Sequence, residues 1–338
     1  MNFKTIIATL AAAVSGVIPL LHGCKESKPR SNDVVAIEIP HIVKDSIDSS
    51  RVKAHCTPYS LDSMGITLGS VLDIAYADSC FYILDDQGQV IAYPINTAKE
   101  VSSMHRIGPG PEEYMFASDI AIDGDTLYLL DTGSRSIKKY DTEFNYLSSV
   151  KIDGMAMGMT AINGNILIGN LDMTTDNHEL KIIDSSGRAD SYIECPEMMP
   201  EYMVAQTEFS HIGDTILVSP RTQNRIFTYA DGKLSPWFEI NFEDGTTILP
   251  EPGKIIMTHC FPVGGFMLLS SLIDKERVYS VVNPETKQVM SGKISATSNG
   301  YPFFPQWDSP EGLLFGYEPP EDDSNGKILV YNLSITHF

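Results

Sequence analysis

Four of the eight histidines, His105, His178, His211 and His259, are the first places to look for chemistry. An imidazole serves as a zinc ligand or a general base, and a catalytic zinc takes three protein ligands. These four stand tens of residues apart, so they meet only if the chain brings distant segments to one axis. Otherwise they are hydrogen-bonded structural groups. The acidic clusters Asp85-Asp86, Asp123-Gly124-Asp125 and Glu321-Asp322-Asp323 have calcium-ligand chemistry. Each falls at a turn signal, where Asp bonds its own backbone, and they are read as turn residues. Cys56, Cys80, Cys195 and Cys260 are widely spaced beside apolar neighbours and form no CxxC pair. They fit buried free thiols or up to two disulfides. No Gly-x-Ser-x-Gly elbow and no dinucleotide glycine fingerprint occurs, and no cofactor is expected. A formal charge of −20, from 44 acidic against 24 basic residues, excludes a nucleic-acid binder that tracks phosphates.

Two further segments stand out. Gly300-Tyr301-Pro302-Phe303-Phe304-Pro305-Gln306-Trp307 is the most aromatic stretch of the chain, and its prolines stiffen it. Tyr301, Phe303, Phe304 and Trp307 are therefore the candidate binding face for a protein, peptide or glycan. The competing reading packs these rings between two repeats. Gly108-Pro109-Gly110-Pro111 has the glycine content of a phosphate loop, but its prolines lack amide donors, so it reads as a rigid turn.

The elements that position these residues repeat along the chain. A short strand, a turn with Gly or Asp, and an apolar strand recur at Asp73–Asp85, Asp119–Asp131, Ala161–Gly169, Phe209–Val218, Gly264–Leu269 and Glu311–Gly316. Landmarks about 40 to 50 residues apart match the period of propeller blades. A third strand follows in most units, as in Ile137–Asp141, Leu180–Asp184, Arg225–Tyr229, Val278–Val282 and Ile328–Tyr331. The expectation is an all-β fold, a six-bladed β-propeller of four-stranded antiparallel blades, with seven blades if 60–69 hold a degenerate unit. The early strand at 34–39 is expected to pair with the last blade and close the ring.

The N-terminus adds a location. A basic start precedes an acid-free, largely apolar run from Thr5 to Leu21, and Leu21-His22-Gly23-Cys24 then turns abruptly polar. This resembles a bacterial lipobox, which implies cleavage before Cys24 and acylation (diacylglyceryl and palmitate chains) of that residue. Two or three acyl chains anchor a protein stably where one does not. With Arg106–Tyr114, Asp119–Ile122 and Leu127–Asp131, the chain resembles the TolB-like six-bladed propeller lipoproteins of Bacteroides-type bacteria, although Pro111 replaces a family glycine. The resemblance implies a signal peptide at 1–23, a lipidated tether at 24–33 and a propeller at 34–338. It also implies an outer-membrane lipoprotein, with the periplasmic side favoured because Lys25-Glu26-Ser27-Lys28 is not a strongly acidic export tract. The expected function is a binding or scaffolding module held at the membrane through Cys24, with no nucleic-acid partner. The alternative is a metal-dependent propeller hydrolase or lyase, lactonase-like, with its site in the central channel.

Overall fold

The computed structural model describes residues 34–39, 46–48, 50–95, 99–170, 178–194, 207–220, 223, 225–242, 256–273, 276–294, 297–320 and 324–336. Residues 1–33, with the expected signal, tether and Cys24, lie outside these, as do Cys195 and the cluster at 321–323.

Two N-terminal strands, β1 (Val35–Ile39) and β2 (Val52–Ser60), precede the repeats. Blade one is β3 (Val71–Ala77), β4 (Cys80–Asp85), β5 (Val90–Pro94) and β6 (Ser102–Met104). Blade two is β7 (Ala117–Asp123), β8 (Thr126–Asp131), β9 (Ser136–Asp141) and β10 (Tyr146–Lys151). Blade three is β11 (Ala156–Ile162), β12 (Asn165–Asn170), β13 (His178–Ile183) and β14 (Ala189–Glu194). Blade four is β15 (Glu208–Ile212), β16 (Thr215–Ser219), β17 (Arg225–Ala230) and β18 (Lys233–Phe242). Blade five is β19 (Ile256–Val263), β20 (Phe266–Ile273), β21 (Glu276–Val282) and β22 (Val289–Gly292). Blade six is β23 (Trp307–Asp308), β24 (Leu314–Glu318) and β25 (Lys327–Ile335), with β2 as its fourth strand. The protein is thus a six-bladed β-propeller of antiparallel blades, and 61–64 form a single 3-10 turn rather than a seventh unit.

The hairpins follow from turn chemistry. Asn163 (φ 51°) and Gly164 (φ 75°) make the two-residue turn between β11 and β12, a conformation that Asn-Gly adopts at low cost. The strands then pack on both faces. In β8, Leu127 and Leu129 join the cluster shared with blade one, while Tyr128 and Leu130 join the cluster shared with blade three. Side chains alternate along a strand, so a middle strand squeezed between two neighbours must be apolar at every position. Six clusters of this kind fill the six spaces between adjacent blades.

Ring closure differs from expectation. The strand at 34–39 does not join the last blade: β1 lies parallel to β18 as a fifth strand on blade four. The closing strand is β2, antiparallel to β25 over its whole length. Ser46 then bridges to Lys293 at the edge of blade five, so the N-terminal segment touches three consecutive blades before the repeats begin. Alternation in β1 puts Ile37 and Ile39 under blade four, each with under 2% of its surface exposed. Replacing either by Ala is expected to cost about 2–4 kcal/mol in urea denaturation. Because β2 still closes the ring, unfolding stays a single transition with the wild-type m-value.

Candidate functional site

Six inner strands, β3, β7, β11, β15, β19 and β23, surround one cavity of about 120 Å³ on the axis. Its wall carries Asp73, Asp119, Glu208, His211, His259 and Asp308, with Thr160, Gln306 and Trp307. Local irregularity aims these groups. The ladder register shifts just before Asp73 in β3, Asp119 in β7, Met159 in β11 and His259 in β19. A bulge turns the following side chain out of the regular alternation, a device common beside functional sites.

Blades one to three are joined by carboxylates. Asp73 accepts hydrogen bonds from the amides of Ile74 (2.8 Å) and, in the next blade, Ile120 (2.9 Å). Asp119 repeats the arrangement one blade on, accepting from Ile120 (2.9 Å) and from Met159 (2.5 Å) in blade three. Burial, followed by the charge of Asp73 and a hydrogen bond to it, pushes the Asp119 carboxyl well above the usual carboxylate range. The neutral form of the Asp119 carboxyl is thereby favoured beside Asp73.

Blades three to five are joined by imidazoles. The Thr160 hydroxyl lies 3.1 Å from His211 Nε2, and the Ser210 hydroxyl lies 2.8 Å from His259 Nε2. Glu208 Oε2 is 3.4 Å from His259 Nδ1, and Asp308 Oδ1 is 3.5 Å from His211 Nδ1, a buried nitrogen with no hydrogen-bond partner. Asp308 also reaches from blade six to accept the His211 amide at 2.6 Å. The His259 ring stacks on Phe261, with centroids 3.9 Å apart. Hydroxyl, imidazole and carboxylate stand in the order of a hydrolase triad. Yet Ser210 is only 1% exposed and does not line the cavity, so its oxygen has no path to a substrate carbonyl there. The hydroxyl–imidazole pair also occurs twice, one blade apart, while its carboxylate comes from β15 in one case and from β23 in the other, so what repeats is a fastening between neighbouring blades.

Of the four histidines singled out from the sequence, His211 and His259 reach the axis, whereas His105 bonds the Gln87 carbonyl and His178 lies in β13. Among the described residues no group of three or more His, Cys, Asp or Glu side chains is placed to hold a metal ion. Phe303 is buried against Tyr279 and Tyr331, each 5.0 Å away, and Tyr301 and Phe304 pack beside it between blades five and six. Trp307 alone of the four aromatic residues lines the cavity, its ring against Phe315. The segment 108–114 is an inter-blade turn: Glu113 folds back to accept the Gly110 amide at 2.8 Å, placing a carboxylate where an anion would have to sit. Asp85 accepts from the amides of Gly69, Gln87 and Gln89, the local role expected of a turn aspartate. Cys56, Cys80 and Cys260 are free and buried, and burial pushes the thiols of Cys56 and Cys80 up to about 11.

Sequence reading missed Asp73, Asp119, Glu208 and Asp308 as axial groups. The signal was the tripeptide Asp-Ile-Ala, which stands at 73–75 and again at 119–121.

Residues 66–328 match a family described as a domain of unknown function, DUF4934. No curated protein matches the sequence. Among solved structures, a Bacteroides fragilis protein described as exported is 13% identical with a TM-score of 0.68, over 90% of this chain and 100% of that one. A member of the DUF4221 family from Bacteroides vulgatus is 9% identical with a TM-score of 0.58, over 86% and 100%. A gluconolactonase from Xanthomonas campestris is 12% identical with a TM-score of 0.50, over 86% and 97%. At such identities the likeness is one of fold.

The raised Asp119 carboxyl gives a pH dependence of definite sign. A carboxyl whose folded-state value lies above its unfolded value contributes fully below about pH 4 and loses that contribution as pH rises through the folded value. Asp119→Asn keeps an acceptor for Met159, leaves the Ile120 amide to Asp73 and offers Asp73 a donor that does not titrate, so its stability is expected to fall less than wild type between pH 5 and pH 8. Asp119→Ala leaves the Met159 amide without its partner and is expected to cost about 1–3 kcal/mol at either pH. Urea denaturation at the two pH values checks both.

Proposed function

The chain belongs to the DUF4934 family, which is described without an activity, and from that premise we propose that it is an envelope lipoprotein whose propeller is a binding module. Its ligand is a protein, peptide or glycan that presents one projecting group to the mouth of the axial cavity. The observation that carries this reading is the cavity itself. It offers Trp307 and hydrogen-bonding groups from several blades, yet about 120 Å³ of room. Sites for whole small molecules run from about 300 to 1,000 Å³, whereas one side chain or sugar substituent needs far less. The polar groups are already held by their neighbours, so little ordering is lost when a ligand docks.

The lipobox at Leu21–Cys24 supports lipidation of Cys24, and the TolB-like resemblance supports outer-membrane anchorage with the propeller on the periplasmic side. The exported relative from Bacteroides fragilis agrees with passage out of the cytoplasm.

Trp307→Ala is expected to weaken binding at least tenfold on peptide and glycan arrays, without changing the melting temperature by more than a few degrees. Equal array profiles for the two proteins would refute the axial site. Stoichiometric zinc or calcium in the purified protein, with turnover of lactones lost on changing His211 or His259, would establish the hydrolase instead. Cys24→Ala is expected to move the protein from the membrane fraction to the soluble envelope fraction.

A further inference from the structure

We propose that the face of the propeller bearing Met115, Phe116 and Met155 rests on an anionic lipid surface. This rests on the lipoprotein reading above, but stands on different residues. Among the described residues the large apolar side chains left well exposed are Leu72 (42%), Ile107 (53%), Met115 (50%), Phe116 (58%), Leu147 (53%) and Met155 (58%). Leu147 sits on the outer strand β10. Leu72, Met115, Phe116 and Met155 lie where the chain enters β3, β7 and β11, at one end of three successive blades. Ile107, bridged to Tyr114, lies beside Gly88 in the turn between β4 and β5.

The patch is continuous through its backbone. The Thr132 amide bonds the Phe116 carbonyl, and Met115 and Phe116 crowd against Gly133. The Ile152 amide bonds the Arg135 carbonyl, and Met155 follows three residues later. Cations rim it: Lys151 Nζ bonds the Ser134 carbonyl at 3.0 Å, Lys181 Nζ bonds the Asp153 carbonyl at 3.0 Å, and Arg135 is exposed between them. Of the nearby acids, Glu112 faces Arg106 at 3.8 Å and Glu113 is folded onto Gly110. Asp86 and Asp153 are exposed at the same strand entries, while Asp85 and Asp131 are buried and held by backbone amides. The rim thus sets four cations (Arg106, Arg135, Lys151 and Lys181) against four unburied acids in a chain where acids outnumber bases 44 to 24.

The fold does not require these side chains. Met115 and Phe116 donate their amides to Asp131, and the matching amides of blade one come from Gly69 and Ser70, which donate to Asp85 and Asp86. Gly and Ser do the same backbone work, so the methionine and phenylalanine serve the surface. Separate apolar protrusions ringed by cations suit a headgroup layer, where rings insert and ammonium groups meet phosphates. The tether of residues 24–33 is at most about 35 Å long when fully extended, so a lipidated chain stays within reach of the bilayer. Anchor and patch then act as two signals on one surface.

The test uses the chain from residue 24 with Cys24→Ser, which keeps the compact unit of residues 31–338 whole and carries no lipid. It is floated with vesicles of phosphatidylethanolamine and phosphatidylglycerol. Binding is expected, reduced at least tenfold by Phe116→Ser with Met155→Ser, because each exposed side chain contributes about 1 kcal/mol or more when buried. Leu147→Ser should bind as wild type, and phosphatidylcholine vesicles or high salt should weaken binding. Matching circular dichroism and melting temperatures show that the double variant is folded. No binding to the anionic vesicles, or equal binding by the double variant, overturns the proposal. So does self-association abolished by the same two substitutions, which would make a second copy or another protein the occupant. Lipidation fails separately, if Cys24→Ala leaves the full chain on the membrane.

Discussion

Amide groups that meet at the axis need partners, and that constraint shapes the centre of this molecule. Six inner strands converge there, each with an edge that no further strand can cover. A buried amide without an acceptor costs about as much as a lost hydrogen bond, so the axis demands acceptors from side chains. Asp73, Asp119 and Asp308 supply them, to Ile120, Met159 and His211 respectively. Satisfying the backbone in this way crowds carboxylates together. The raised Asp119 carboxyl is the consequence, since burial and the neighbouring Asp73 both oppose its charge. The groups that look catalytic are first of all the fastenings of the wheel.

Outside the axis the adhesive is apolar and the closure is peptide backbone. Each blade presents two faces to two neighbours, and the six clusters bury large side chains such as Phe81, Phe238, Phe261 and Phe315. That packing has no direction, so the ring is kept from opening by strand pairing at the seam. There β2 completes blade six along the full length of β25. Strand β1 adds a second fastening at blade four, and its isoleucines enter the cluster between blades four and five. An edge left bare at blade six would expose a row of unpaired groups to other chains.

The number of blades was legible because each hairpin needs a residue that accepts positive φ, and Gly124, Gly164, Gly213 and Gly265 mark such turns. The middle strands were legible because two-sided burial leaves unbroken apolar runs, as in Phe81–Leu84 and Leu127–Leu130. Closure was misread. Val35–Ile39 has the alternation of a closing strand, whereas the true one, Val52–Ser60, was not singled out: Val52, Ala54 and Cys56 alternate there with Lys53, His55 and Thr57, but the run is less apolar and Pro58 interrupts it. An outermost strand tolerates such residues, because one of its edges faces no partner. The axial residues were the least legible. Which side chain reaches the cavity depends on bulges before Asp73, Asp119 and His259, and a bulge leaves no mark in composition.

Repetition also separates what the fold needs from what it does not. Where two blades solve the same problem with the same residue type, as Asp73 and Asp119 do, the residue belongs to the architecture. Asp85 and Asp131 are another such pair, each gathering amides of the strand entry beside it. Burial alone would raise the Asp131 carboxyl, but hydrogen bonds from Ser134, Phe116 and Met115 outweigh it and hold the carboxyl below the usual carboxylate range. Where corresponding positions diverge, as Gly69-Ser70 and Met115-Phe116 do, the backbone bond is kept and the side chain is free to vary. Trp307 is a divergence of the same kind, an indole in the shortest inner strand of the ring, lining a cavity to which blades one and four bring the smaller rings of Tyr76 and Phe209. In a chain built from six copies of one solution, activity is to be sought at the positions where a copy departs from the others.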